Sequence, residues 1–128
     1  MRTDSEKLKF PDGFMWGTGE DAYQHEGGNY NNDWYRWECL DPSPVPGGDR
    51  LGTGPDFYNR YEEDFDRASS SGQRIHRIGV EWSRIEPEDG KADLGVIEHY
   101  RNMLAALKDR GFYPAPFYAY PVNPLTGR

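Results

Sequence analysis

The 128-residue sequence has little of what marks several large classes of protein. Its one cysteine, Cys39, excludes an internal disulfide, cannot form a thiolate zinc site alone and is expected to be buried. No apolar run approaches the ~18 residues of a transmembrane helix. The amino terminus also lacks the apolar segment of a signal peptide. We therefore expect a cytoplasmic protein with no membrane partner.

Basic residues are outnumbered by acidic ones. Lys and Arg together number 15, Asp and Glu number 22, and the formal net charge is -7. A nucleic acid backbone would be repelled by this charge, so we expect no nucleic acid partner. Hydrophobic residues make up only 35% of the chain, whereas the aromatic share of 15% is higher than disordered segments have. The composition therefore predicts a folded chain with a small core.

The sequence also lacks the usual signs of a nucleotide or metal site. Residues 52–56, GTGPD, resemble a phosphate loop only in their glycines, because the lysine and the strand-to-helix context are missing. His25, His76 and His99 fall in three separate segments, without the short spacing that metal ligands need. We therefore expect no metal ion and no cofactor.

Strand-like and helix-like segments alternate along the chain. Apolar periodicity and turn residues predict a polar leader at 1–9, a strand at 14–17, a long loop at 29–54, a helix at 55–68, a strand at 75–82, a helix at 96–110 and a strand at 112–120. This alternation predicts an α/β fold with a parallel sheet and right-handed crossovers. A small three-layer sandwich and the first units of a (β/α)8 barrel both fit it.

Polar residues follow the first two predicted strands. Residues 23–26, YQHE, come after the first strand, and Glu81, Arg84 and Glu86 come at the end of the second. Because the carboxyl ends of parallel strands border the crevice where ligands bind, we expect a site there. Glu81 and Glu86 could pass for a catalytic pair, but their spacing after a strand favours a structural role.

Five motifs in order resemble the amino-terminal part of glycoside hydrolase family 1, the β-glucosidase and β-galactosidase family. They are FPDGFMWGTGEDAYQHEGG, NNDWYRWE, YEEDFDRA, HRIGVEWSRIEPEDG and IEHYRNMLAALKDRGFYP, and the similarity runs from Phe10 to about Tyr120. The resemblance implies a (β/α)8 TIM barrel, with residues 10–128 as its first three βα units. It also implies retaining hydrolysis of β-linked glycosides, by one attacking carboxyl group and one proton-donating carboxyl group.

Neither catalytic glutamate of that family is found in this sequence. The acid/base residue lies in an Asn-Glu-Pro motif after the fourth strand, and the nucleophile lies after the seventh. The only Glu-Pro here is Glu86-Pro87, which is preceded by Ile85 and belongs to the WSRIEP motif. We therefore expect this chain alone to be inactive.

Three positions carry a family role by resemblance. Gln24, in YQHEG, matches the glutamine that hydrogen-bonds sugar hydroxyls, for which an amide supplies both donor and acceptor. Arg77, in HRIGVEW, matches the arginine that supports the nucleophile carboxylate. Tyr120 falls where the family has a sugar-binding histidine, so the substitution would alter that subsite.

A second hypothesis is a non-catalytic module. In this interpretation the chain binds a β-linked glycoside or small sugar, or assembles with another chain, without catalysing hydrolysis. Three strands leave two open sheet edges, so self-association is expected. The sequence does not determine which sugar or leaving group is bound, since the residues that select among them would lie mostly beyond position 128.

Overall fold

The computed structural model describes residues 9–119, so most of the predicted leader lies outside it. The regular elements are β1 (Gly17–Gly19), α1 (Ala22–Glu26), α2 (Asp33–Glu38), α3 (Phe57–Ser70), β2 (Ile75–Glu81), α4 (Trp82–Ile85), α5 (Leu94–Asp109) and β3 (Tyr113–Ala119). A short 3-10 turn at Pro46–Gly48 interrupts the segment between α2 and α3. The predicted α/β alternation is confirmed.

The three strands form one parallel sheet in the order β1-β2-β3. Ile75 of β2 is in register with Gly17 on one side and with Tyr113 on the other. Pro114 and Pro116 lie within β3, which among the described strands pairs only with β2. An edge position tolerates proline because the missing N–H removes no hydrogen bond on the open side.

The two long helices form where the sequence repeats apolar residues at helical spacing. In α3 the aromatic side chains of Phe57 and Phe65 are buried. Helix α5 begins after Asp93, whose Oδ1 accepts hydrogen bonds from the backbone N–H of Gly95 at 2.8 Å and Val96 at 3.1 Å. This cap satisfies donors that the first helical turn leaves unpaired.

The core lies between β2 and these two helices. Its buried apolar residues are Phe57, Phe65, Ile78, Val80, Tyr100, Met103, Leu107 and Phe112. Full burial of a side chain of this size contributes roughly 1.5–3 kcal/mol. The side chains of Ile78 and Val80 lie on one face of β2, so α3, β2 and α5 form the stable centre of the fold.

The first strand begins later than the sequence predicts. Strand β1 runs from Gly17 to Gly19, whereas the sequence predicts a strand at 14–17. At Gly17 the chain approaches β2 very closely. A Cβ atom at Gly17 would lie 2.2 Å from the carbonyl oxygen of Ile75, so only glycine fits. Phe14 and Trp16 remain about half exposed and pack against Phe10 and each other, with the three pairs of ring centroids 4.7–5.1 Å apart.

Three short helices, α1, α2 and α4, were not predicted. Helix α2 lies inside the expected loop at 29–54 and is capped by Asn32, whose side chain accepts a hydrogen bond from Tyr35 N–H at 2.7 Å. Trp82 begins α4 instead of ending β2. Cys39, expected to be buried, is only partly so. Helices α2 and α4 each have a capping side chain, on which short helices depend more than on apolar periodicity.

Candidate functional site

The carboxyl ends of β1 and β2 meet at one edge of the sheet. Gly19, the last residue of β1, is in register with Arg77 of β2, and α1 follows directly after β1. A Cβ atom at Gly79 would lie 2.5 Å from the backbone nitrogen of Ala22. The start of α1 therefore lies against β2, which places the predicted polar residues of both segments at the same edge.

Gln24 and Arg77 are brought to this edge together. The side chain of Gln24 is exposed on α1, where the amide can reach a ligand. The Arg77 guanidinium donates a hydrogen bond from Nη2 to Oδ1 of Asp21 at 3.0 Å. Asp21 and Gln24 line the same cleft. Tyr120, the third predicted residue, lies outside the described part of the chain.

A buried polar network holds α1 in place from below. The Glu26 carboxylate is 1% exposed and accepts hydrogen bonds from Arg84 Nε at 2.7 Å and from the Tyr100 hydroxyl at 2.5 Å. The Tyr100 oxygen in turn accepts from the backbone N–H of Glu81 at 3.1 Å. One carboxylate thus joins α1, the end of β2 and α5.

The electrostatics of this network are dominated by burial. Burial raises the pKa of Glu26 to about 7, although the Tyr100 hydrogen bond and the Arg84 guanidinium lower it in part. The Arg84 guanidinium carbon also lies 4.3 Å from the centre of the Tyr58 ring, and Nη2 donates to the carbonyl oxygen of Gly27 at 2.5 Å. Arg84 is therefore held from three directions and forms a rigid support for α1.

The segment between α1 and α3 is tied to the same edge. Asn29 Nδ2 donates to Ser83 Oγ at 3.1 Å, and Asn31 Nδ2 donates to the carbonyl oxygen of Pro87 at 3.2 Å. The backbone N–H of Gly28 donates to the carbonyl oxygen of Gly52 at 2.9 Å. The tryptophans of α2 are therefore positioned beside the ends of the strands.

A cleft of about 640 Å³ opens between α1, α2 and residues 49–51. Its lining includes Trp34, Trp37 and Glu38 from α2. Glu38 is 6% exposed, and its Oε2 accepts from the backbone N–H of Leu51 at 3.2 Å. Its other oxygen, Oε1, is also buried. Burial, followed by a hydrogen bond to Glu38, raises the pKa of Tyr23 on the adjacent helix.

The two glutamates after β2 serve local structure. Glu81 Oε1 accepts from the N–H of Ser83 at 3.3 Å and from its hydroxyl at 2.8 Å, which caps α4. Glu86 accepts from Trp82 Nε1 at 2.8 Å and from the backbone N–H of Gly90 at 2.6 Å. These bonds fit the structural role that the spacing of the two residues favoured.

The described residues show no metal cluster and no membrane span. Within residues 9–119, His, Cys, Asp and Glu side chains nowhere gather in a group of at least three that could hold an ion. His76 is buried and paired with Glu20, and it lies 3.2 Å from the Thr18 hydroxyl. None of the helices in this part of the chain is both long and apolar enough to cross a bilayer.

The sequence pattern did not predict that Glu38 lines the cleft. It also did not predict the hydrogen bonds that join Glu26 to Arg84 and Tyr100. Glu26 and Arg84 each belong to a polar group that the sequence placed at a strand end, so their proximity was foreseeable. The Tyr100 ring packs in the core with the apolar residues of its helix, but its hydroxyl reaches the carboxylate. A glutamate that is buried needs hydrogen-bond partners, so an arginine and a tyrosine on neighbouring segments are the signal that could have predicted this network.

The chain is similar in sequence to known glycosidases. Residues 6–120 match the sequence model of "Glycosyl hydrolase family 1". Over 114 residues the chain is 33% identical to coniferin beta-glucosidase of Pinus contorta, covering 85% of this chain and 22% of that protein. It is 30% identical over 141 residues to a beta-galactosidase of Saccharolobus solfataricus, covering 81% of this chain and 29% of that protein.

A solved structure shows the same fold. The beta-glycosidase BGL167 superposes with a TM-score of 0.81 and 33% identity, over 87% of this chain and 26% of that one. This neighbour is a TIM-barrel enzyme, and the three parallel strands described above correspond to part of its barrel. The chain spans about a quarter of the length of the relatives it matches.

Proposed function

The chain belongs to glycosyl hydrolase family 1, and from that premise we propose that it forms the sugar-binding edge of a retaining β-glycosidase. The substrate class is a β-glucoside or β-galactoside. The observation that carries the proposal is the position of Gln24, exposed on α1 at the carboxyl ends of β1 and β2 and lining the cleft there. An amide at this position can donate to one sugar hydroxyl and accept from its neighbour.

Arg77 is proposed to support a nucleophile carboxylate. Its guanidinium lies on β2 at the same edge of the sheet and already bonds to the carboxylate of Asp21. A cation near a nucleophile keeps that carboxylate ionised and able to attack the anomeric carbon. Tyr120 is proposed as a sugar contact by resemblance alone.

These 128 residues alone are proposed to lack hydrolytic activity. Retaining hydrolysis needs two carboxyl groups about 5 Å apart on either side of the scissile bond. Within residues 9–119, Glu81 and Glu86 are engaged in local caps, and Glu26 is buried in the network with Arg84. The chain therefore contributes sugar binding, and the reacting carboxylates must come from elsewhere.

Binding and turnover measurements on the isolated chain test this proposal. We expect methyl β-D-glucopyranoside to bind and Gln24→Ala to weaken that binding about fivefold, since one or two neutral hydrogen bonds are lost. Gln73→Ala is the matched control, because Gln73 lies at the opposite end of β2 and accepts from Thr18. Equal affinities for the two variants would contradict the role of Gln24.

Activity assays address the second half of the proposal. Chromogenic β-glucoside and β-galactoside should show no turnover by the chain above the background rate. Turnover that disappears in both Gln24→Ala and Arg77→Ala would contradict the proposed inactivity. Sequencing the coding DNA downstream of the Arg128 codon adds an independent check, with an in-frame Asn-Glu-Pro motif and a later nucleophile glutamate expected.

A second candidate function is a sugar-binding or assembly module, which the exposed edges favour. Among the described strands, β1 and β3 each have a neighbour on one side only, and Phe10, Phe14 and Trp16 are about half exposed beside β1. Such surfaces favour association with another chain. A defined oligomer in light scattering would support this function, whereas a monomer or heterogeneous aggregates would contradict it.

A further inference from the structure

Residues 17–28 form an arm that carries Gln24 and lies against the rest of the fold. The arm consists of β1, the two residues after it, α1 and the two glycines that follow. All three residues of β1 are exposed, and two of them are glycines. Within residues 9–119, the buried apolar core draws its side chains from residues 57–112 and includes none from the arm. The arm therefore depends mainly on polar contacts for its attachment.

The Glu26 network fastens the α1 end of the arm, and His76 of β2 fastens the β1 end. The His76 ring is buried, with its centroid 5.2–6.5 Å from those of Phe57, Phe65 and Phe112. A phenyl ring, being similar in volume, would fill this aromatic space as well as an imidazole does. What the imidazole adds is two polar nitrogens, so their partners show what the histidine contributes.

Both nitrogens of His76 are directed at the arm. Nε2 pairs with the Glu20 carboxylate, and Nδ1 lies 3.2 Å from the Thr18 hydroxyl. Thr18 and Glu20 are two positions apart, so in extended backbone their side chains lie on one face, where a single ring can reach both. The side chains of His76 and Glu20 are only 6% and 11% exposed, so water and salt screen their attraction little. The pair is thus a buried bridge between the arm and β2.

A buried pair of this kind specifies which two segments lie together. Removing one partner leaves the other buried without compensation, which is costly, whereas replacing both partners with apolar groups of similar volume is close to neutral. When the arm moves away from β2, the Glu20 carboxylate returns to water and little apolar surface is uncovered. Opening of the arm is therefore a local event, separate from unfolding of the core.

We propose that the Glu20–His76 pair is a latch, which holds the arm against β2 and sets how often the arm opens. In the closed state, β1 lies beside β2 and Gln24 lines the cleft. In the open state, the core remains folded and Gln24 is displaced from the cleft. The latch itself does not depend on the proposed function. Its consequence for sugar binding does rest on that function, because Gln24 is the proposed sugar contact.

Native-state hydrogen exchange, followed by NMR, tests the latch without any ligand. The backbone N–H of Glu20 reports on the arm, since it donates to the carbonyl oxygen of Arg77 at 3.2 Å. The N–H of Tyr113 is the matched reporter on the other side of β2, where it donates to the carbonyl oxygen of Arg74 at 2.8 Å. We expect the Glu20 N–H to exchange with the weaker dependence on urea, because opening of the arm exposes little surface. The same urea dependence at both positions would overturn the local opening.

His76→Phe should release the latch and leave the core filled. We expect exchange of the Glu20 N–H to accelerate about 10- to 100-fold while that of Tyr113 stays unchanged, because the carboxylate loses its buried partner. Leu107→Ala is the control for general loss of stability, since Leu107 is fully buried in the core. This control should not increase the ratio of the Glu20 rate to the Tyr113 rate. An unchanged ratio in His76→Phe would overturn the latch.

Substitutions at position 20 show whether the two residues act as a pair. Glu20→Leu removes the carboxylate that His76→Phe leaves buried, so the double variant should open less often than His76→Phe alone, after correction for intrinsic exchange rates. Faster opening of the double variant than of either single variant would contradict the pairing. Glu20→Gln is the milder variant, because its amide oxygen still accepts from Nε2, and we expect an acceleration of about three- to tenfold. No acceleration in Glu20→Gln would also overturn the latch.

Methyl β-D-glucopyranoside separates the latch from the proposed function. A ligand that binds only the closed arm should slow exchange of the Glu20 N–H about tenfold at ten times its Kd, and Gln24→Ala should abolish this effect at the same concentration. If His76→Phe accelerates exchange but the glucoside has no effect, the latch stands and the sugar contact fails. If the glucoside slows exchange but His76→Phe leaves the ratio of rates unchanged, the sugar contact stands and the latch fails.

Discussion

The two faces of β2 differ in how completely the described residues enclose them. On one face, the side chains of His76, Ile78 and Val80 are buried beneath α3 and α5. On the other face, Arg77 and Glu81 are only partly buried, and Glu81 lines the cleft. The covered face is mostly apolar and the open face carries charge. Stability and ligand chemistry are thus separated across the thickness of one strand.

This separation has a physical origin in the pleat of the strand. Successive side chains point to opposite faces, so one face can be filled with apolar groups while the other remains polar. The helices supply the apolar partners of the first face from within residues 57–109. Substitutions on the covered face should therefore act mainly on the free energy of unfolding, and those of the charged side chains on the open face mainly on binding.

The largest expected effect comes from emptying the covered face. Phe65 of α3 is 0% exposed, so Phe65→Ala should lower the free energy of unfolding by about 3–5 kcal/mol through lost burial and a residual cavity. Phe14→Ala is the matched control, since Phe14 is 50% exposed and should change stability by less than about 1 kcal/mol. Urea unfolding followed by circular dichroism measures both. Similar losses for the two variants would show that the core is assigned wrongly.

The second-largest effect on stability is expected at the buried carboxylate of Glu26. Because the pKa of Glu26 is raised to about 7 in the fold, the folded chain holds a proton that the unfolded chain releases near its model value of 4.5. The stabilisation from this proton is complete below pH 4.5 and is lost as pH rises through 7. We expect a decrease in unfolding free energy on the order of 3 kcal/mol across that interval.

Glu26→Gln tests the assignment because glutamine does not titrate. Denaturant unfolding at several pH values should show the decrease in the parent chain and a much flatter profile in the variant. Glu63→Gln is the control, since Glu63 pairs with Arg60 on the exposed side of α3 and has its pKa lowered. A decrease that persists unchanged in Glu26→Gln would mean that another group titrates in this range.

A smaller effect is expected where the open face meets α1. Gly79→Ala places a Cβ atom 2.5 Å from the Ala22 backbone nitrogen, and backbone cannot move aside as a side chain can. We expect a loss of about 1–3 kcal/mol in unfolding free energy, as in other overpacked sites. Gly95→Ala is the control because its nearest neighbour is the Asp93 side chain at 3.2 Å. Equal stabilities would refute the close approach of α1 to β2.

The smallest effect should come from the ion pair on the open face. The side chains of Arg77 and Asp21 are 41% and 58% exposed, so water screens their attraction. Asp21→Asn should therefore change the unfolding free energy by less than about 1 kcal/mol. A loss comparable to that of Phe65→Ala would erase the distinction between the two faces of β2.

The sequence predicts well the elements whose apolar residues recur at the spacing of a helix or a strand. Helices α3 and α5 and strand β2 were predicted close to their observed bounds, because each buries a periodic set of side chains. The helices α1 and α2 have five and six residues; α2 has a side-chain cap from Asn32, whereas α1 has none and is held by the tertiary hydrogen bonds of Glu26. Gln24 and Arg77 came from resemblance, and the structure brings both to one edge.

Other features depend on contacts that no local pattern contains. The Glu26 carboxylate reaches Tyr100 only after the chain has crossed the sheet and returned through α5. The close approach at Gly79 likewise depends on where the residues after β1 run. Glu38 lies in a polar segment of the sequence, and its burial and its bond to the Leu51 N–H arise only in the fold. Sequence periodicity does not predict which residues of distant segments come into contact.

The Glu26–Tyr100 hydrogen bond also bears on the order in which the chain folds. Its two residues are 74 positions apart, and closing so long a loop carries an entropic penalty that earlier contacts must first offset. The helices and strand of the core have shorter loops to close, so we expect them to assemble first. During synthesis the helix carrying Gln24 would emerge early but become fixed only once Tyr100 had emerged. The proposed sugar-binding edge would thus be among the last parts to mature.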